Sequence, residues 1–94
     1  MGKVAMAIDS KLRQRFEPLR LAVEDDSSRH HGHAGWREGG ETHFNVEIVS
    51  AAFEGQGRVA RQRLVYAELS EEFAAGLHAL ALTTLTPAED AAKR

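Results

Sequence analysis

The sequence predicts a mixed α/β (α+β) domain whose elements follow the order α-β-β-α-α-β-α. Three observations lead to this prediction: apolar residues at helical spacing near the N-terminus, later segments in which apolar and polar residues alternate, and a capping box near the C-terminus. A chain of 94 residues can bury one modest core. We therefore expect residues 1–94 to form a single domain.

The first helix is predicted from four apolar residues that share one side of it: Val4, Ile8, Leu12 and Phe16. Pro18 disfavours helical geometry at the preceding residue, so the helix is expected to end at Glu17. A half-buried strand follows, because three apolar residues then alternate with Arg20, Ala22 and Glu24. These apolar residues are Leu19, Leu21 and Val23.

Residues 25–41 predict a long polar loop that contains four glycines and three of the five histidines. Loops of this length in a small domain are often mobile and functional, and we expect both here. Residues 42–50 predict a second strand, in which Phe44, Val46 and Ile48 share one face. The two strands are expected to pair antiparallel.

The second half of the chain predicts two helices, a strand and a last helix. A turn at residues 53–57 precedes a helix over 58–69, whose apolar face is predicted to hold Ala60, Leu64 and Ala67. Ser70 is expected to be the N-cap of a short helix.

Glycine at position 76 can end that short helix, and residues 77–85 predict the third strand. Leu80 and Leu82 share a face of this strand, and His78 has the same parity. Thr86-Pro87-Ala88-Glu89 is a capping box with proline at the first helical position, so a terminal helix is expected from residue 87.

Composition excludes several classes of site. The chain has no cysteine, which excludes disulfides, cysteine-type zinc sites, cysteine nucleophiles and any iron–sulfur cluster held by its own thiolates. A P-loop, an H-E-x-x-H motif and a recognisable Ser/His/acid spacing are all missing. We therefore expect no enzymatic activity and no small-molecule substrate.

The charge pattern and hydropathy suggest a location in the cell. The formal net charge is -2 and is spread evenly along the chain, which argues against a strongly basic nucleic-acid face. The apolar runs are too short for a membrane span, and the N-terminus lacks the apolar stretch of a secretion signal. We expect a cytoplasmic protein without membrane contact.

Several short segments, in this order and spacing, resemble the BolA-like proteins over about residues 8–89. They begin with Leu21-Ala22-Val23-Glu24-Asp25-Asp26-Ser27 and the histidine-rich loop, followed by Gly40-Glu41-Thr42-His43-Phe44 and Ile48-Val49-Ser50. The next is Phe53-x-Gly55-x-x-Arg58-Val59-x-Arg61-x-Arg63-x-Val65-Tyr66. The last is His78-Ala79-Leu80-x-Leu82, with Thr86-Pro87 after it.

The resemblance implies a fold like the type II K-homology arrangement, in which helices cover one side of a three-stranded mixed sheet. It also implies two functions. In the first, the protein pairs with a monothiol glutaredoxin and shares a bridging [2Fe–2S] cluster in iron–sulfur assembly or iron homeostasis. In the second, it is a transcription regulator that binds DNA through an arginine-bearing helix and affects stress response and cell morphology.

For the cluster function, the resemblance implies that His78 is a metal ligand. A lone histidine at a strand edge is otherwise more often structural than a ligand. A second ligand is expected from the loop, with His30 as the best match and His33 or His31 as alternatives. The thiolates would come from the glutaredoxin and glutathione. His43 is instead expected to be structural, ordering the pair of strands.

For the DNA function, the expected contacts are Arg58, Arg61 and Arg63. Few arginines on a net acidic chain predict weak, salt-sensitive binding to phosphates. The same side chains could instead be solvated or dock an acidic partner. A third possibility is therefore a protein-interaction adaptor without a metal.

Overall fold

A computed structural model describes residues 2–26 and 41–93 of the chain. The elements follow the predicted order α-β-β-α-α-β-α, with one additional 3₁₀ turn at Ala51–Phe53. In chain order they are α1 (Lys3–Phe16), β1 (Arg20–Asp25), β2 (His43–Val49), α2 (Arg58–Glu68), α3 (Ser70–Ala74), β3 (Ala79–Leu85) and α4 (Pro87–Lys93).

The strands form one mixed sheet in the order β1-β2-β3. β1 pairs antiparallel with β2, as the sequence predicts, with Arg20 opposite Val49. β2 pairs parallel with β3, with His43 opposite Ala79. The mixed sheet implied by the family resemblance is therefore confirmed, and the parallel pairing brings the starts of β2 and β3 to the same edge.

The core lies between one face of the sheet and the first helices. The predicted apolar side of α1 is confirmed, since Ile8, Leu12 and Phe16 are buried and Val4 packs against them. From β2 the predicted face Phe44, Val46 and Ile48 is buried as well. α1 ends before Pro18, where Glu17 takes a left-handed conformation (φ 45°) and its N–H donates to the carbonyl of Arg13.

The buried stripe of α2 differs from the predicted one. Leu64 packs against the core as predicted, but the fully buried residues are Val65 and Leu69, whereas Ala67 is exposed and Ala60 is only partly buried. The reason is that Val65 and Leu69 lie one helical turn apart and have larger side chains than the alanines. The helix is therefore oriented with Val65 and Leu69 toward the core rather than with Ala60 and Ala67. This orientation also turns Arg61 inward, so its guanidinium lies 6.0 Å from the ring centroid of Phe53.

Two local predictions are wrong. Ser70 is the first residue of α3 rather than its N-cap, and its side chain makes no capping bond, because the buried Leu69 occupies the cap position directly after α2. Leu19 is 74% exposed, because β1 begins only at Arg20 and Leu19 precedes the alternating segment.

The capping box of α4 is confirmed in both directions. Thr86 N–H donates to Glu89 Oε1 (2.9 Å), and Glu89 N–H donates to Thr86 Oγ1 (3.2 Å).

Arg20, which lies on the face of the sheet away from the core, bonds Glu47 of β2 and Asp90 of α4. These ion pairs hold α4 against the end of the sheet. Across residues 2–26 and 41–93, none of the helices has the length and hydropathy needed to cross a bilayer.

Candidate functional site

His78 is exposed and lies immediately before β3. Its backbone N–H donates to the carbonyl of Thr42 (2.8 Å), and Ala79 N–H donates to the same oxygen (3.1 Å). Thr42 immediately precedes β2 and follows the predicted histidine-rich loop. The parallel pairing of β2 and β3 therefore places His78 beside the end of that loop.

The base of the loop is closed by hydrogen bonds from both of its ends. Glu41 N–H donates to Asp25 Oδ2 (3.1 Å), and Asp26 N–H donates to the carbonyl of His43 (2.8 Å). The Glu41 carboxylate also accepts the N–H groups of Val4 and Ala5, which caps the N-terminus of α1. These bonds fix both ends of the loop close to His78.

The predicted loop ligands His30, His31 and His33 lie outside the described residues. Their role as partners of His78 stays a prediction. The structure adds the position of the loop base, which the sequence alone did not place beside His78.

His43 has only 4% of its surface exposed. A hydrogen bond joins its Nδ1 to Oγ1 of Thr42 (2.9 Å), and its ring centroid lies 5.1 Å from that of His78 at an interplanar angle of 54°. The sequence predicted a structural role for His43 without linking it to His78. That link depends on the register between β2 and β3, which a pattern within either strand does not reveal.

An open apolar groove of about 510 Å³ borders His78. Its walls include Tyr66 of α2 and Phe73 of α3, whose rings meet edge to face at 5.5 Å, and Leu80 of β3. The hydroxyl of Tyr66 donates to the carbonyl of Leu80 (3.1 Å), which fixes the tyrosine across the groove. Sequence reasoning missed this groove, because it forms only where the α2–α3 junction returns to β3.

Among the described residues this site has a single exposed imidazole, so a metal centre here would need further ligands. Within residues 2–26 and 41–93, no group of three or more histidine, cysteine, aspartate or glutamate side chains is placed to hold a metal ion. His78 supplies an exposed imidazole, a ligand suited to iron. The remaining ligands would have to come from the loop and from another molecule.

The three predicted arginines are not equivalent. Arg61 donates from Nε to the carbonyl of Gln56 (2.8 Å), and its guanidinium also bonds the carbonyl of Thr84 and the Glu89 carboxylate. Its side chain is only 12% exposed. Arg58 and Arg63 are exposed on α2. Arg61 thus joins α2 to β3 and α4, and the other two face solvent.

The Arg61–Glu89 pair predicts a specific pH dependence of stability. The Arg61 guanidinium and the backbone N–H of Thr86 lower the pKa of Glu89 from 4.5 to about 2. A carboxyl whose pKa is lower in the folded state stabilises the fold above its unfolded pKa, and this contribution is lost as the pH falls through the folded pKa. We expect the free energy of unfolding to fall between pH 4.5 and about 2 more steeply in the wild type than in Glu89→Gln.

Urea titrations across this pH range measure the free energy of unfolding of the wild type and of Glu89→Gln. Glutamine at position 89 is a matched control, because it preserves the capping box and removes only the charge. If the free energy of unfolding depended on pH in the same way in both proteins, the stabilising role of the Glu89 carboxylate would be contradicted.

Comparison with known proteins identifies the family. The model of the BolA-like protein family matches residues 12–89. Protein BOLA1, chloroplastic, of Arabidopsis thaliana is 50% identical over 91 residues, which cover 95% of this chain and 57% of that protein. The chain thus spans little more than half the length of this plant relative.

A bacterial relative and a solved structure agree with this match. DNA-binding transcriptional regulator BolA of Escherichia coli (strain K12) is 44% identical over 79 residues, covering 84% of this chain and 71% of the relative. The solved BolA domain of SufE1 from Arabidopsis thaliana has a TM-score of 0.87 and 47% identity, covering 95% of this chain and 98% of that one. With the family model spanning most of the sequence and the same fold in a solved BolA domain, the chain belongs to the BolA-like protein family.

Proposed function

We propose that this protein is a non-enzymatic accessory protein that pairs with a monothiol glutaredoxin and shares a bridging [2Fe–2S] cluster with it. The glutaredoxin and glutathione would supply the thiolates. This chain would supply the imidazole of His78 and one loop histidine, with His30 as the first choice. The pair would act in iron–sulfur assembly or iron homeostasis.

The observation that supports this proposal most is the position of His78. Its imidazole is exposed while its backbone is fixed by the carbonyl of Thr42, beside the closed base of the histidine-bearing loop. A second histidine from that loop could therefore reach the same metal centre. The apolar groove next to His78 offers a surface against which a partner could pack.

Replacing cysteine ligands by imidazole changes how such a cluster behaves. A [2Fe–2S] cluster supplies reversible one-electron chemistry, and histidine in place of cysteine on one iron raises its reduction potential. Imidazole binds metal only when neutral, so release of the cluster would be favoured as the pH falls. With His78 and a loop histidine as ligands, this chain would thus bind the cluster reversibly.

Mixing experiments test the pairing directly. The chain is combined with a monothiol glutaredoxin, glutathione and iron under anaerobic conditions, and absorption and circular dichroism are recorded in the visible range. We expect a spectrum distinct from that of the glutaredoxin homodimer, at a one-to-one ratio of the two proteins. A spectrum identical to the homodimer's at every ratio would contradict the proposal.

A second candidate function is DNA binding. The Escherichia coli relative is named as a DNA-binding transcriptional regulator, and Arg58 and Arg63 are exposed on one helix. Arg61 is engaged by Glu89 and two backbone carbonyls, so Arg58 and Arg63 would carry the phosphate contacts. Two arginines predict a salt dependence with a slope of about −2 in log K against log[salt].

Salt titration of DNA binding tests this candidate. We expect Arg63→Ala to reduce the slope by about one, because one phosphate contact is removed. Arg13→Ala, which changes an exposed arginine on α1, is the matched control and should leave the slope unchanged. A slope near zero, or equal slopes for all three proteins, would exclude this function.

The cellular compartment is part of the proposal. The plant relative is named as chloroplastic, whereas we expect this chain to act in the cytoplasm. Fractionation of cells that express the protein from its own gene tests this expectation.

A further inference from the structure

A buried pair of side chains behind His78 has no place in the function proposed above. Thr42 is fully buried and His43 nearly so. Oγ1 of Thr42 is hydrogen-bonded to Nδ1 of His43, which restricts rotation of that imidazole ring. The ring of His43 in turn lies against the ring of His78, at 5.1 Å between centroids.

Thr42 also fixes the backbone of His78. The carbonyl of Thr42 accepts the N–H groups of both His78 and Ala79. His78 is therefore held in two places, with its main chain bonded to Thr42 and its ring in contact with His43. An exposed histidine without such a neighbour samples several rotamers, and binding a metal would have to immobilise it.

We propose that His43 is a positioning residue for His78. Its buried ring, oriented by the Thr42 hydroxyl, forms a wall against which the imidazole of His78 rests. The wall keeps His78 close to one orientation before any ligand arrives. The consequence for the cluster rests on the proposed function, whereas the restriction of the His78 ring does not.

The first measurement uses the free chain and needs no metal. The rings of histidine, phenylalanine and tyrosine are labelled with carbon-13, and the order of the His78 ring C–H groups is measured by NMR relaxation. We expect His43→Ala to lower the order of the His78 ring and His43→Phe, which keeps an aromatic wall, to retain most of it. The rings of Phe53 and Tyr66 serve as internal references, because a general loosening of the fold would change them too.

The hydroxyl group of Thr42 gives a second pair of variants, which is needed if His43→Ala does not fold. Thr42→Val fills the same space but removes the bond to Nδ1, and Thr42→Ser keeps that bond. We expect a small loss of His78 ring order in Thr42→Val, because the bond that orients the His43 ring is removed while the ring itself remains, and wild-type order in Thr42→Ser. Unchanged order of the His78 ring in folded His43→Ala, or in Thr42→Val, would overturn the inference.

The second measurement uses the complex with a monothiol glutaredoxin. We expect His43→Ala to weaken formation of the cluster-bound complex by about three- to tenfold, the usual effect of freeing one immobilised side chain, and His43→Phe to stay near wild type. If even the wild type gives no mixed complex, the proposed function fails. The ring order in the free chain still decides whether His43 positions His78.

Discussion

Replacing His78 with alanine is expected to remove the cluster signal of the mixed complex with a monothiol glutaredoxin. Loss of a group that hydrogen-bonds to the side chain of a metal ligand typically costs 10- to 100-fold in affinity, so loss of a ligand itself should cost about 100-fold or more. The visible circular dichroism should return to that of the glutaredoxin homodimer. Titration of the glutaredoxin with each variant, followed at a wavelength where the two complexes differ, measures the change.

Thr83→Ala provides a matched control for this substitution. Thr83 is exposed on β3, the strand that directly follows His78, but it does not line the groove that borders His78. We expect it to bind like the wild type. Since His78 is exposed, its replacement should leave the stability of the fold almost unchanged. A mixed-complex spectrum that survives His78→Ala would show that this imidazole is not a ligand.

Replacing Phe53 with alanine is expected to cost about 3–5 kcal/mol of the free energy of unfolding, the range for a large buried aromatic side chain. Phe53 is fully buried, its ring centroid lies 5.3 Å from that of Phe16, and the Arg61 guanidinium lies 6.0 Å from the same centroid. The substitution removes a contact between α1 and the segment before α2. A loss this large is comparable to the whole stability of a small domain.

Urea denaturation of a small set of variants tests this expectation. Phe53→Leu retains most of the volume and should cost clearly less. Val59→Ala changes a side chain that is 59% exposed and should remain within about 0.5 kcal/mol of wild type. A cost below 1 kcal/mol for Phe53→Ala would contradict the central place of this ring in the core.

Local sequence signals predicted most helix ends and strand faces, with Ser70 and Leu19 as exceptions. Thr86 and Glu89 cap each other within one turn, so the start of α4 follows from four consecutive residues. The alternation in β2 likewise placed Phe44 and its same-face neighbours in the core. In these cases the residues that decide the structure are close together in the chain.

Features that depend on distant contacts were not predictable in the same way. The apolar face of α2 was predicted from a stripe that includes small alanine residues. In the structure the fully buried residues are Val65 and Leu69 instead. Arg61 appeared to be a solvent-facing arginine, but Glu89 and Thr84, from elements far along the chain, bind it. The contact between His43 and His78 required the parallel register of two strands joined through two helices.

The absence of cysteine gives the proposed function its most specific consequence. A chain without thiols cannot hold a [2Fe–2S] cluster by cysteine ligation, so in the proposed complex the partner and glutathione would supply the sulfur ligands. The ligands from this chain would then be imidazole nitrogens, which spectroscopy can distinguish from sulfur ligands. Those nitrogens can be observed separately from any histidine of the glutaredoxin if only this chain carries the isotope label.

The most direct test is therefore electron–nuclear double resonance on the reduced mixed complex, prepared with nitrogen-15 histidine in this chain alone. We expect nitrogen-15 couplings from two directly bound imidazoles, one of which disappears in His78→Ala. A reduced cluster that shows no coupling to nitrogen-15 from this chain would contradict the proposed function.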